Sequence, residues 1–378
     1  MKHQVSRNLK ELGLSGIRVL GQEAAQYDDV ITLTIGEPMF NTPDEVKEAA
    51  IKAIQENFTK YPPYQGMPEL RQAVVDFENE TQGIEYDPSE VLITQGASGA
   101  LYVGLGAILN PEEEVIVFDP SYVAYYPIIK TFLGTPVIVD TTNDDFQLSY
   151  DKIKAVITDK TKAININSPN NPTGVIYNKK SLEALKRIMD EHDVYVITDD
   201  VYNQLIYDDA EFLVQDKAYK KKVLYCQSMS KPFAMTGWRI GYLMADQAII
   251  EQALKLQQYM AAGIPPFIQI ATIEAFKTDV KPVVKEYKEN LKAAMEILDA
   301  HDISYVEPKG AFYLFIDISK SGMTSWDFAR KLLKDEKVAV VPGLVFSDDS
   351  DSFVRISFCM DRHLVIEGLT RFARFLNR

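Results

Sequence analysis

Cysteine is nearly absent: the 378 residues contain two, Cys226 and Cys359. That excludes a disulfide framework, and no CxxC or Cys/His spacing offers a zinc site. Histidine is scarce as well, with His3, His192, His301 and His363 lacking ligand spacing, so no metal is expected. Basic charge is outnumbered, 40 Lys and Arg against 54 Asp and Glu, for a net charge of −14. The deficit weighs against a nucleic-acid backbone and against an anionic membrane surface as partner. Apolar runs stay well short of the roughly 18 residues that a membrane-spanning helix needs. The amino terminus, MKHQVSRNLKELGLSGIRVL, mixes charged and apolar residues without the pattern of a signal peptide. These absences point to a reducing cytoplasm.

What is present is ordinary for a globular protein, 46% hydrophobic and 25% charged residues. At about 150 residues per domain the length predicts two domains. From residue 30 to about 245, short β-branched runs alternate with helix-length stretches. VITLTI, VLIT, EVIVF, TPVIVD, KAININ, VYVIT, KVLYC and RIGYLM are the candidate strands. The alternation predicts a mostly parallel sheet covered by helices on both faces. Thr42-Pro43-Asp44-Glu45 reads as a capping box that opens a helix running to about Asn57. Beyond residue 245, long helical stretches (246–276 and 281–300) precede strands at FYLFID, VAVVPG and FVRISF and a terminal helix from Arg362, a smaller α+β unit. With no Ser/Gly linker in sight, a continuous helix is expected to join the two parts.

Ligands of open parallel sheets bind beyond the carboxyl ends of the strands, so the polar residues there are the candidates. After VLIT comes Gln95-Gly96-Ala97-Ser98-Gly99, either a plain turn or a helix amino end able to hold a phosphate. After AININ comes Ser168-Pro169-Asn170-Asn171-Pro172-Thr173-Gly174, where Asn171 sits between prolines that constrain it. After VYVIT come Asp199, Asp200 and Tyr202; a buried Asp there needs a cationic or donor partner unless it caps a helix. Following VLYCQ is Ser228-Met229-Ser230-Lys231-Pro232-Phe233-Ala234-Met235-Thr236-Gly237-Trp238-Arg239-Ile240-Gly241-Tyr242. A lysine among small and apolar residues is a candidate for a depressed pKa and for Schiff-base chemistry. The hydroxyls of Ser228 and Ser230 and the guanidinium of Arg239 suit a phosphate.

SMSKPFAMTGWRIGY resembles the cofactor-lysine signature of the class I/II aminotransferases, the fold-type I pyridoxal-phosphate enzymes. LTIGEPMFNTPDEV, KYPPYQGMPELR, TQGASGAL, DPSYVAYYP, NSPNNPTG, TDDVY, PKGAFYLF, VAVVPGLVF and FVRISF resemble the family's other blocks, in its order. LSGIRVL, DVITLTIGEP and GMTSWDFA further resemble Gram-positive members that act on aromatic amino acids or on N-acetyl-diaminopimelate.

The resemblance implies a large pyridoxal 5'-phosphate-binding domain over residues 45–280 with a mostly parallel seven-stranded sheet, and a small α+β domain from 1–44 and 281–378. It implies that Lys231 binds the cofactor covalently and that Asp199 pairs with its pyridine nitrogen. Asn171 and Tyr202 would meet its phenolic oxygen, and Tyr122 would stack on its ring. The phosphate would be held by Ala97, Ser98, Ser228, Ser230 and Arg239, with Tyr61 reaching across a homodimer interface to the neighbour's phosphate. Arg355 would grip the substrate α-carboxylate opposite the Gly36 loop, with Asn171 beside it. Lys231, Asp199 and Tyr202 are therefore the expected catalytic set.

Other functions compete with this one. Ser228-Met229-Ser230-Lys231 fits the S-x-x-K of serine β-lactamases, but no S-D-N or K-T-G follows. A ligand-sensing regulator on this scaffold would carry a DNA-binding domain ahead of it, and only about 30 residues precede the first strand. C–S β-lyases on the same scaffold usually have histidine where this chain has Asn170, which favours transamination. Between Arg239 and Arg330 there is no arginine, and Ser98 stands where one aspartate-using group has lysine. Both usual grips on a distal carboxylate are missing, so an aromatic or other large side chain is the expected donor, with 2-oxoglutarate as acceptor and N-acetyl-diaminopimelate as the alternative. Arg18 either assists a remote carboxylate or is a solvated helix residue.

Overall fold

The computed structural model describes residues 12, 13 and 16–378. His3 and most of the amino-terminal stretch read for a signal peptide lie outside the described residues. Among the described residues thirteen strands follow in order: β1 Ile31–Thr32, β2 Val91–Thr94, β3 Glu114–Asp119, β4 Thr135–Asp140, β5 Thr161–Asn167, β6 Tyr195–Asp199, β7 Val223–Ser228, β8 Gly241–Met244, β9 Tyr305–Val306, β10 Tyr313–Asp317, β11 Val338–Ala339, β12 Val341–Pro342 and β13 Phe353–Ser357. Seven form one sheet in the order β2-β8-β7-β6-β5-β3-β4. All its neighbouring pairs are parallel except those made by β8, which runs against both β2 and β7.

Alternation along these strands builds two cores. Val91, Ile93, Ile116, Phe118, Ile164, Ile166, Val223 and Tyr225 face the helices Asp44–Gln55, Pro68–Gln82, Lys179–Glu191 and Pro266–Ala275. Leu92, Val115, Val117, Ala163, Leu224 and Cys226 face the helices Gly96–Ile108, Tyr125–Thr131 and Gln247–Ala261. A strand covered on both faces must be apolar on both, hence the continuous apolar runs. A four-stranded sheet, β12-β13-β10-β9, packs with the helices Lys281–Ala300, Ser325–Glu336 and Arg362–Leu376 around a separate cluster that includes Phe312, Leu314, Phe328 and Phe372. No helix among the described residues is long and apolar enough to cross a membrane.

Several expectations are corrected. Of VITLTI only Ile31–Thr32 is a strand, and it pairs with β11 outside the large sheet. VAVVPG is split between β11 and β12, which belong to different sheets. Thr42 does not cap the following helix, which has Pro43 at its cap position and ends at Gln55. Its hydroxyl instead donates to Ala234 O (2.7 Å) and accepts from Trp238 Nε1 (3.0 Å), tertiary partners that replace the local backbone donor. The stretch 246–276 is two helices, broken where Ala262 (φ 49°) and Gly263 (φ 95°) turn left-handed before Pro265 and Pro266. The expected joining helix is interrupted too, ending at Ala275 and restarting at Lys281.

Candidate active site

The parallel strands end together, because the register sets Asn167 of β5 beside Asp199 of β6, and Asp199 beside Cys226 of β7. Reversed strand β8 starts at Gly241 opposite Ser228, and Thr94 at the end of β2 pairs with the same Gly241. One sheet edge therefore collects the loops that follow five strands, and a cavity of about 370 Å³ opens there. Ala97, Ser98, Tyr122, Asn171, Asp199, Tyr202, Ser228, Ser230, Lys231 and Arg239 line it, joined by Gly36 and Arg355 from the other side. Of the residues that the family resemblance assigns to cofactor or substrate, Tyr61 alone stands apart, 90% exposed and outside the cavity lining.

Lys231 follows β7 by three residues and donates from Nζ to the Gly36 carbonyl at 2.7 Å. Gly36 also lies against Tyr313, whose hydroxyl occupies the space that a Cβ there would need. Burial lowers the amine to about 8, and the charges of Arg239 and Arg355 act in the same direction. Asp199 is pushed the other way, up to about 6, again by burial, against the Tyr125 hydrogen bond and the Lys231 charge. Tyr125 donates to its Oδ2 at 2.7 Å, while Oδ1 is buried without a partner. Asn167 donates to the Asp199 carbonyl (2.5 Å) and accepts the Asn171 N–H (2.8 Å), so the β5 and β6 loops are locked together.

Arg355, on β13 and 2% exposed, is oriented through both terminal nitrogens. One donates to Asn171 Oδ1 (2.9 Å), the other to Thr34 O (2.7 Å), and the guanidinium lies 4.4 Å from the Tyr313 ring centre and 5.1 Å from that of Phe346. Each terminal nitrogen keeps a second N–H, so the fork is held in place and still able to donate. Tyr202 and Tyr313 share a hydroxyl hydrogen bond of 2.9 Å.

At the far end, the helix Gly96–Ile108 points its amino end at Ser228 and Arg239. Ser228 and Ser230 share a 2.9 Å hydroxyl bond, and Arg239 Nη1 is steadied by Thr236 O at 3.1 Å. Gly96 has φ +67°, and a Cβ on it would lie 3.2 Å from Arg239 Nη2 and 3.7 Å from Ser228 Oγ, inside the space these donors enclose. Donors, positive charge and a helix amino end converge there, as an anion requires. The residues fit pyridoxal 5'-phosphate: an anion cradle at one end, an unpartnered carboxylate oxygen for a protonated ring nitrogen at the other, and a low-pKa amine between.

Sequence reasoning missed Tyr125, Asn167, Thr34 and Tyr313. Asn167 is the last residue of AININ and was one position from being found by the strand-end rule; Tyr125 is one of three tyrosines in SYVAYYP, where nothing distinguishes it from its neighbours. Thr34 and Tyr313 carry no local signal at all. Arg18 is exposed on the helix Gly16–Ala24, and Asn170 spends its Oδ1 on the N–H (3.1 Å) and hydroxyl (2.8 Å) of Thr173, closing its own turn.

The family model described as "Aminotransferase class I and II" matches residues 28–372. The chain belongs to this family. A probable N-acetyl-LL-diaminopimelate aminotransferase of Bacillus subtilis is 38% identical over 380 residues, covering 100% of this chain and 96% of the relative. An aspartate aminotransferase of Pyrococcus abyssi is 39% identical, covering 98% of each. Among solved structures, an aromatic aminotransferase from Pyrococcus horikoshii superposes with a TM-score of 0.89 at 39% identity, covering 95% of this chain and 98% of that one. The protein is thus an aminotransferase of the pyridoxal-phosphate-dependent class, and the fold-type I expectation holds.

Proposed function

We propose that this aminotransferase binds pyridoxal 5'-phosphate in the cavity and moves the amino group of an amino acid with an aromatic or other large side chain to a 2-oxo acid. The observation that carries the donor preference is the disposition of positive charge. Lys231, Arg239 and Arg355 are the cations lining the cavity, and the amine site, the phosphate cradle and the α-carboxylate fork use one each. No fourth cation among the lining residues remains for a distal carboxylate. The lining instead includes the apolar Ile17 and the half-exposed Ile35. A second reading, N-acetyl-diaminopimelate as substrate, is supported by the Bacillus subtilis relative.

When bound, the cofactor supplies an electrophilic aldehyde and a ring able to accept electrons. Lys231 would supply the amine that holds it and the base that takes the Cα proton, and burial, which lowers this amine to about 8, favours the unprotonated form that both roles need. Asp199, steadied by Tyr125, offers Oδ1 to the ring nitrogen and keeps it protonated. Arg355 holds the α-carboxylate and so sets which Cα bond faces Lys231.

The same reading includes a homodimer and the division into residues 45–280 and 1–44 with 281–378. Tyr61, Tyr64, Tyr259 and Met260 are exposed apolar side chains, and the loop at Pro62 packs on Gly263, which makes a rim suited to a second copy. Cytoplasmic residence also belongs to this reading.

The test is single-turnover reaction of the loaded protein with phenylalanine, tyrosine, aspartate, cystathionine and N-acetyl-diaminopimelate, following cofactor absorbance and oxo-acid product. Aromatic oxo acids formed fastest support the proposal. Fastest reaction with aspartate overturns the donor preference, and pyruvate, ammonia and a thiol from cystathionine without amination of the cofactor make the protein a lyase.

A further inference from the structure

Behind the cavity lies a buried polar network that the chemistry above leaves unused. Glu78, on the helix Pro68–Gln82, is 0% exposed and does not line the cavity. No cation among the described residues is hydrogen-bonded to it. Its carboxylate accepts from the Tyr225 hydroxyl at 3.1 Å through each oxygen and from the Tyr242 hydroxyl. Burial pushes it up to about 7, against those two phenols.

The donors upstream all point one way. The Tyr225 oxygen accepts from Asn203 Nδ2 (2.7 Å) and from Gln227 Nε2 (3.0 Å), so its own proton is left for Glu78. Gln227 Nε2 also reaches Asn203 Oδ1 (2.7 Å) and the Asp200 carbonyl (3.0 Å), the residue after Asp199. With its amide nitrogen so committed, Gln227 turns its Oε1 toward the N–H of Ser228, which it accepts at 3.0 Å. Ser228 in turn shares its hydroxyl with Ser230 beside Gly96 and Arg239. The terminal carboxylate, the Asp200 carbonyl and the Ser228 N–H thus agree on one sense for the bonds that run from Glu78 to the Ser228 backbone.

We infer that Glu78 is a positioning residue: through Tyr225 and Gln227 it fixes the Ser228 backbone and so preorganises the cradle for a phosphate group. The inference rests on the proposal that the cavity binds pyridoxal 5'-phosphate. Glu78→Gln keeps the shape and an Oε1 that can accept from Tyr225 and Tyr242, but it replaces the charged second acceptor with an N–H group facing a Tyr225 oxygen that already accepts from Asn203, which weakens the bond at the end of the relay. Tyr225→Phe removes the central hydroxyl and interrupts the relay by a different route.

The experiment measures equilibrium affinity of the cofactor-free protein for pyridoxal 5'-phosphate and for pyridoxal, by absorbance at about pH 8 where Glu78 is ionised, together with thermal melting. The expected result is a loss of about tenfold or more in affinity for pyridoxal 5'-phosphate in both variants, with pyridoxal affinity changed less than about twofold. Equal losses for the two ligands would mean a merely structural role and overturn the inference, as would an unchanged phosphate preference. If Glu78→Gln does not fold, Tyr225→Phe decides alone by the same ratio. Failure of the unaltered protein to bind pyridoxal 5'-phosphate would overturn the cofactor proposal and this inference with it.

Discussion

Tyr125 donates its phenol proton to Oδ2 of Asp199 across 2.7 Å, and Oδ1 of the same carboxylate is left buried and unpartnered. One oxygen is spent on orientation and the other is kept for a ligand. A carboxylate with both oxygens satisfied by the protein would have little reason to bind a ring N–H; one with neither satisfied would be costly to bury.

Asp199→Ala removes the group that keeps a ring nitrogen protonated, so turnover is expected to fall by on the order of 10³-fold or more while the protein still folds. Tyr125→Phe, which loses only the orienting bond, is expected to cost about tenfold. Turnover with the best donor and thermal melting check both, and near-normal transamination by Asp199→Ala refutes the assignment.

Lys231→Ala leaves no amine to hold the cofactor covalently. Borohydride reduction followed by intact mass measurement is expected to show an adduct on the unaltered chain and none on the variant. An adduct at another lysine would move the catalytic amine elsewhere.

The Lys231 amine is lowered from 10.5 to about 8 in the folded, cofactor-free chain. Between those values the unfolded chain holds a proton that the folded chain has released, so stability rises with pH across this window and the full cost is felt below about 8. Removing the amine by Lys231→Met is therefore expected to stabilise the cofactor-free protein at pH 7 by on the order of 2 kcal/mol, a figure discounted for water reaching the amine through the cavity. The gain should close as pH approaches about 10.5; denaturant titrations that show a pH-independent gap contradict it.

Arg355 lies against the faces of Tyr313 and Phe346 and is held by Asn171 and Thr34. Lysine retains the charge but neither the fork nor the ring contacts. Arg355→Lys is expected to raise KM for both amino acid and oxo acid by about ten- to a hundredfold, with cofactor affinity little changed. A change in cofactor affinity with KM preserved would assign Arg355 to the wrong ligand.

Tyr61 is 90% exposed in the single chain, next to a loop that packs on Gly263. Sedimentation is expected to show a homodimer, and Tyr61→Phe is expected to weaken retention of pyridoxal 5'-phosphate without dissociating it. A fully active monomer would remove any role for Tyr61 across an interface.

Much of the site was legible because strand ends carry their own signal. Asp199, Asn171, Ser228 and Lys231 each sit within a few residues of a recognisable β-branched run, and parallel strands in register bring such positions to one edge. Thr42 shows where local reading stops: a sound capping pattern lost its side chain to Ala234 and Trp238, almost 200 positions away. VITLTI failed for a related reason, since its pattern allows a strand but its partner, β11, lies 307 positions downstream.

By itself the sequence determined the order of strands and helices, the polar residues that follow each strand and the placement of a lysine among small and apolar neighbours, because periodicity and turn chemistry act over a few residues. The tertiary structure alone decided which of three tyrosines holds Asp199, that Arg355 is braced by Asn171 and Thr34, and that Glu78 ends a chain of donors leading to Ser228. Those choices depend on hydrogen-bond geometry and burial between segments far apart in the chain, and both arise only when the sheets and helices have packed.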